Sequence, residues 1–229
     1  MSTDWLIAIS TIALAIGTIA LALVAAFQDI IRAWVMRPKL DASITMAPPD
    51  CHKTKMKSRG ALGWVEADCY YFRIRVRNSG NRRAEQVEIL AKELIKQQRD
   101  GSLTKLTWFL PMSLSWSHVQ RPLLDGISPE MEKHCDLGHI IKPDLRSKFA
   151  LEDHTQLGVT SSKTIFSFDL EVKPFTMSHL IPPGKYRLVL LVGSSNTKPV
   201  RKTLEIDHTG NWHDDESEML AKGVGIRMI

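Results

Sequence analysis

Apolar residues run without interruption from Trp5 to Phe27, in the sequence WLIAISTIALAIGTIALALVAAF. No side chain in this stretch is ionisable, and its few Ser and Thr hydroxyls can bond back to carbonyls of the same helix. A helix of this length reaches roughly 34 Å, enough to cross the ~30 Å hydrocarbon core of a bilayer. The pattern therefore predicts one transmembrane helix, with Trp5, Gly17 and Phe27 inside the span.

Helical spacing continues beyond the span to residue 36, with Ile30, Ile31 and Trp34 on one apolar stripe. Pro38 disfavours helical geometry at the residue before it and so ends the element. We expect a transmembrane anchor and juxtamembrane helix over residues 1–37 and a globular domain over 38–229. A secretory signal peptide is the alternative, but the start MSTDW has no Lys or Arg and the apolar run is long for one.

Period-two alternation dominates the remaining sequence and is clearest in YYFRIRVR. Tyr70, Phe72, Ile74 and Val76 share one face, and Tyr71, Arg73, Arg75 and Arg77 share the other. Similar patterns predict strands near 40–46, 87–95, 133–141, 164–172, 186–192 and 200–206. We expect about eight strands in a mainly β, immunoglobulin-like antiparallel sandwich.

The segments between these strands have irregular sequences. The basic stretch 50–63 and the polar stretch 142–163 are expected to be long loops, and the latter belongs to a central insertion. Asp214 and Asp215 precede SEMLAKG, in which an acidic first turn, Lys222 and a final glycine predict a short C-terminal helix.

Two peptides resemble CARDB-type and related bacterial immunoglobulin-like domains. RVRNSGNRRAEQVEI is similar to their N-x-G-x-x-x-A-x-x-V hairpin, with Asn78 and Gly80 in the turn and Ala84 and Val87 in the partner strand. IPPGKYRLVLLV is similar to their Pro-Gly-x-Tyr entry into a late strand. The resemblance implies a domain that binds or spaces rather than catalyses. The long central insertion departs from the pattern. The peptides SLSWSH, CDLGHI and LEIDHTGNW also resemble an uncharacterised prokaryotic family of membrane-anchored proteins.

Charge around the span predicts its orientation. No Lys or Arg precedes it, whereas Arg32, Arg37 and Lys39 follow it. By the positive-inside rule, the N terminus is outside and the domain is cytoplasmic, in an inner or plasma membrane. The net charge of +5 is too small to indicate a nucleic-acid partner.

Histidines and cysteines are the residues of this sequence best suited to bind a metal or to act as nucleophiles. Cys135 and His139 have C-x₃-H spacing, and Cys51 adjoins a histidine, but CxxC, G-x-S-x-G and Walker motifs are absent from the sequence. A metal-dependent or hydrolytic enzyme using His118, Cys135, His139 or His179 remains an alternative to a binding role. A periplasmic binding module is another, which an oxidised Cys51–Cys69 pair would support.

We expect a non-enzymatic, single-pass membrane protein that holds a partner, most simply another protein, at the bilayer. Neither a cofactor nor a nucleic acid is expected, and small residues in the span favour self-association of the helix. The residues expected to contact the membrane surface or a partner are basic or aromatic, namely Arg32, Arg37, Lys39, Arg73, Arg75, Arg77, Trp108 and Trp116.

Overall fold

Helix α1, Thr3–Val35, begins the chain. The computed structural model describes residues 3–60, 63–146, 148–149 and 157–229, with the side chains of 29–35 and 58–60 left out. The chain forms two compact units, residues 1–37 and 38–229. Within α1, Thr3–Gln28 is long and apolar enough to cross a membrane. Ser10 and Thr11 donate to the carbonyl of Ile7, so their hydroxyls are satisfied inside the helix as expected.

Strands make up most of the second unit. In chain order they are β1 Leu40–Ser43, β2 Cys51–Gly60, β3 Gly63–Asn78, β4 Ala84–Gln97, β5 Leu103–Lys105, β6 Met112–Ser113, β7 Ser115–Trp116, β8 Leu124–Ile127, β9 Glu132–Ile141, β10 Phe166–Phe168, β11 Leu180–Ile181, β12 Gly184–Ser194, β13 Thr197–His208 and β14 Val224–Met228. Two short helices interrupt them, α2 Pro143–Arg146 and α3 Glu216–Glu218, the second continuing as a π-helical turn over Met219–Gly223.

These strands form two antiparallel sheets. The first has the order β1-β3-β9-β10-β11, with β2 paired to β3 and β7 to β9. The second has the order β14-β13-β12-β4-β5, with β6 and β8 paired to β4. The paths β1-β3-β9 and β4-β12-β13 follow the A-B-E and C-F-G orders of immunoglobulin sandwiches. The prediction of a mainly β sandwich with an N-terminal apolar helix and a short C-terminal helix is confirmed.

The core lies between the sheets and uses the predicted inward faces. Phe72 and Ile74 of β3 and Leu188 and Leu190 of β12 are completely buried in one hydrophobic cluster. Burying such side chains stabilises the fold by ~1.5–3 kcal/mol each relative to exposure. A smaller cluster lies on the outer face of the first sheet and contains Ala67, Cys69, Ile141 and Phe149.

Three local predictions were wrong. Residues 51–60 are not a loop but strand β2, in register with β3 from Cys51–Phe72 to Gly60–Gly63. This strand lacks the alternation of apolar and polar residues by which strands are predicted. Its basic residues face solvent or acidic residues of β3, because β2 and β3 form a two-stranded ribbon here. The strand near 164–172 ends at Phe168, and Val172 is 79% exposed. The tail contains a further strand, β14, paired to β13.

The expected loop 142–163 lies only partly within the described residues. Its first part contains α2, and residues 147 and 150–156 lie outside the described residues.

Candidate functional surfaces

The arginine row of β3 lies on the outer face of the first sheet, as its alternation predicted. Each guanidinium there has a carboxylate partner: Arg73 contacts Asp136 at 3.2 Å, and Arg75 contacts Asp50 at 2.9 Å. Arg77 contacts Glu130 at 2.6 Å. The row is therefore neutralised within the domain, which makes it a weak candidate for an anion-binding surface.

Asp50, the carboxylate partner of Arg75, is completely buried: its side chain has no exposed surface. Its carboxylate accepts from the N–H of Thr45 at 2.9 Å and lies 3.1 Å from His134 Nε2. Burial alone would raise the pKa of Asp50, but the bonds from Arg75, Thr45 and His134 outweigh it and hold the pKa below its usual value. The bond to Asp50 also raises the pKa of Arg75.

A second polar cluster adjoins the arginine row. Ser117 donates to Asp136 at 2.5 Å, and His139 Nδ1 lies 2.8 Å from Asp169, with the Tyr71 ring stacked on the imidazole at 5.6 Å. Burial raises the pKa of Asp136 above its usual value. Serine, histidine and aspartate thus meet here, but as a Ser–Asp pair and a His–Asp pair. In a nucleophilic triad, the serine hydroxyl is instead hydrogen-bonded to the histidine imidazole.

The cysteines and histidines of the enzyme alternative lie apart. Cys135 is inside the core and donates to the carbonyl of Ser115, whereas His139 is on the opposite face of β9. The C-x₃-H pair therefore does not form one site. His118 is exposed in a turn, and His179 is buried beside β10. Within the described ranges, no group of three or more His, Cys, Asp or Glu could hold a metal ion.

The three thiols are all free and buried. Cys51 belongs to the main core and Cys69 to the small outer cluster, so they lie on opposite faces of the first sheet. A disulfide between them does not fit this fold, because its two Cβ atoms must approach to about 4 Å. Burial raises the pKa of Cys51 and of Cys69 to about 12.

The predicted aromatic contacts differ in exposure. Trp108 is 43% exposed, but Trp116 is 1% exposed and its indole donates to the carbonyl of Val87 at 3.1 Å. Trp116 is therefore a core residue.

The other predicted contact and span residues are exposed where the structure describes them. Arg37 and Lys39 are exposed, and the side chain of Arg32 lies outside the described residues. In α1, Trp5 and Phe27 are 65% and 51% exposed.

An apolar groove of 340 Å³ lies on the outer face of the second sheet. Leu90 and Leu191 pair across β4 and β12, and Leu123 and Pro199 lie beside them; we call these four residues the leucine groove. Leu123 is 45% exposed. Outer faces of sandwiches are usually polar, so contiguous leucines there make this groove a candidate contact surface. The unbroken apolar run 188–192 is the sequence feature that could have predicted this groove. A strand with one buried and one solvent-exposed face would carry a polar residue at the position of Leu191.

A larger groove, of 640 Å³, lies at the ends of β12, β13 and β14. Its charged residues already bind one another: Lys185 contacts Asp207 at 3.0 Å, and Glu205 receives both Arg187 and Arg227. A ligand would have to displace these pairs, so the leucine groove is the better candidate surface.

Four segments meet where the chain enters the sandwich, and sequence reasoning missed this surface. They are residues 38–39, 78–83, 128–131 and 194–198, which we call the entry face. The buried side chain of Asn78 accepts from the N–H of Lys39 and donates to the carbonyls of Arg82 and Ile127. Asn196 donates to the carbonyl of Arg83, which ties the β12–β13 turn to the same surface.

No protein-family model, curated protein or solved structure matches this chain.

Proposed function

We propose that this chain is a single-pass protein of the inner membrane whose β-sandwich faces the cytoplasm and holds a partner protein at the bilayer. The observation that carries the proposal is the exposed, apolar helix Thr3–Gln28, which is uncharged from Trp5 to Phe27 and precedes a separate domain whose chain is hydrogen-bonded from Lys39. Such a helix has no protein core to bury it, and a bilayer would satisfy its apolar surface.

The charges beside the helix support this orientation. Arg32, Arg37 and Lys39 follow the span, and its N-terminal side has only Asp4. Cationic residues are retained on the cytoplasmic side during insertion, which favours a cytoplasmic sandwich.

A pair of reporter fusions tests both insertion and orientation. Ile229 is exposed, so a C-terminal fusion leaves the sandwich accessible. If the domain is cytoplasmic, we expect a fluorescent protein fused there to fluoresce in the membrane fraction. Alkaline phosphatase fused at the same position should be inactive. Active alkaline phosphatase would place the domain outside the cytoplasm and contradict the proposed orientation. Recovery of the intact chain in the soluble fraction without detergent would contradict the anchor.

The leucine groove supports a protein as the partner. It presents apolar side chains on the face of the sheet that points away from the core, and Gln86 and Glu88 form a polar rim around them. Protein interfaces combine an apolar centre with a polar rim in this way.

Photo-crosslinking in intact cells tests the surface. A photoreactive amino acid at Leu123 should give one discrete adduct in the membrane fraction. Leu103 is the matched control, because it is 48% exposed, close to the 45% of Leu123, and lies on β5, away from the groove. Adducts of equal yield at both sites, or none at Leu123, would contradict partner binding at this groove.

A further inference from the structure

We propose that the entry face docks on anionic lipid headgroups and so fixes the sandwich against the bilayer. This inference rests on the proposed function, since it assumes that α1 is inserted. It names a lipid surface as a second ligand of the domain and assigns it to residues other than the arginine row.

The charge of the entry face favours an anionic ligand. Its four segments contain the basic residues Lys39, Arg82, Arg83 and Lys198 and one acid, Glu130, which is bound to Arg77. In the part of the chain that the structure describes, those four cations have no carboxylate within ion-pair distance. The flanking acids are Asp41, which is paired with Lys202, and Glu85 and Glu132, so the surface is basic but not uniformly so.

About half of the other basic residues that the structure describes in the domain are paired with carboxylates. The arginines of β3 are held by Asp136, Asp50 and Glu130, and Lys55 and Lys57 share Glu66. A paired cation contributes little to lipid binding, because docking would have to break the existing pair. The unpaired cations of the entry face are available without this loss.

Covalent connection keeps the entry face close to the membrane. Only three residues separate the end of α1 at Val35 from Lys39, whose N–H is fixed on Asn78. The four Cα–Cα steps from Val35 to Lys39 span at most about 14 Å. The Debye length in physiological salt is ~8 Å, so a tether this short allows the cations at this end of the domain to come within range of the potential of an anionic bilayer.

The basic hairpin β2–β3 is at the other end of the first sheet. Leu40 pairs with Asn78 at one end of β3, and the hairpin turns at Gly63, sixteen residues of strand away. At ~3.3 Å per residue, this separation is about 50 Å. When the entry face rests on the bilayer, the hairpin points away from it, which separates the two basic regions functionally.

The entry face also has the rigidity that a docking surface needs. Asn78 connects the turn 78–83 to residues 38–39 and to β8, and its backbone bonds Glu130 and Met131. Met131 is 48% exposed among these turns and can enter the apolar boundary below the headgroups. The cations are thus presented by fixed backbone.

Energy transfer in nanodiscs tests the docking. The full chain with Ser79→Cys would carry a donor dye at the entry face, and the nanodisc lipids an acceptor on their headgroups. We expect higher transfer with 30% phosphatidylglycerol than with phosphatidylcholine alone, and a decrease when salt is raised. Arg82→Gln, Arg83→Gln and Lys198→Gln together should lower the ratio of docked to undocked chains at least about tenfold.

A matched variant removes the same charge from the opposite end of β4. Lys96→Gln, Arg99→Gln and Lys105→Gln together should leave the transfer unchanged, and Arg82→Lys, Arg83→Lys and Lys198→Arg should preserve docking. Transfer that is independent of lipid charge, or an equal loss in the Lys96 variant, would overturn the inference while leaving the anchor intact. Failure of the chain to enter nanodiscs would overturn the proposed function together with it.

Discussion

The side-chain oxygen of Asn78 accepts a hydrogen bond of 3.0 Å from the backbone N–H of Lys39. The same oxygen accepts from the N–H of Gly80, and the amide nitrogen donates to the carbonyls of Arg82 and Ile127. Asn78 is completely buried, so one side chain satisfies four backbone groups at the junction of the anchor and the sandwich. Its role is to hold the first residues of the domain on the β3–β4 turn.

Replacing Asn78 should destabilise the domain. Asn78→Ala leaves backbone donors and acceptors unpaired in a buried position, and we expect a loss of about 2–4 kcal/mol in the free energy of unfolding. Urea unfolding in detergent, followed by tryptophan fluorescence, measures it. Ser79→Ala, at the exposed neighbouring position, should change the value by less than about 0.5 kcal/mol. Equal effects of the two substitutions would refute the role given to Asn78.

The pH dependence of stability should involve His208. This imidazole is 1% exposed and lies 2.7 Å from the hydroxyl of Thr164. Burial lowers the pKa of His208 from 6.5 to about 4, so the folded state binds fewer protons than the unfolded state in this range. Its contribution to stability is present above pH 6.5 and is lost as the pH falls toward 4, by an amount on the order of 3 kcal/mol.

Comparison of variants separates the contribution of His208 to the pH dependence of stability from the contribution of the carboxylates. His208→Gln should flatten the decline in unfolding free energy between pH 7 and pH 4 relative to the wild type. His118→Gln, at an exposed turn position, should leave the decline unchanged. A His208→Gln curve parallel to that of the wild type would show that this histidine does not titrate differently on folding.

Two glycines without positive φ should respond differently to alanine. A Cβ on Gly138 would overlap the carbonyl of Ser167 and the ring of Phe166, whereas a Cβ on Gly225 would meet no atom within 4 Å. We expect Gly138→Ala to cost about 3 kcal/mol through overpacking, and Gly225→Ala to be neutral or to stabilise by up to about 1 kcal/mol. Thermal unfolding of both variants decides this, and a harmless Gly138→Ala would contradict the packing between β9 and β10.

The thiols should resist alkylation while the chain is folded. Cys51, Cys69 and Cys135 are buried, and burial raises the pKa of each well above the ordinary value, so the reactive thiolate is scarce at pH 8. Mass spectrometry after iodoacetamide should find no adduct on the folded chain and three adducts in denaturant. Rapid modification of any one thiol under native conditions would contradict its placement.

The sequence was sufficient for elements whose two faces differ strongly. In β3, Phe72 and Ile74 alternate with arginines, so period, orientation and burial followed directly. The apolar helix was equally clear, because charge is absent from Trp5 to Phe27. In contrast, β2 carries Lys53, Lys55 and Lys57, and its pairing with β3 depends on a partner strand that local patterns do not reveal.

Surfaces were harder to predict than strands. The arginines of β3 suggested an exposed basic face, but their partners Asp50 and Asp136 come from distant segments and neutralise it. Trp116 suggested a contact residue, yet its indole is inside the core. The entry face joins four segments that lie between residues 38 and 198 of the sequence, and only the three-dimensional structure brings them together.

The pairing of β1 with β3 has a mechanical consequence. β1 follows the anchor immediately, and its four residues pair antiparallel with β3 from Leu40–Asn78 to Ser43–Arg75. Ladder bonds run perpendicular to the strands, so tension applied at Pro38 along β1 loads all of them at once, in shear. If α1 is inserted as we propose, a load held by the sandwich is passed to the bilayer through bonds that share the force rather than break one after another.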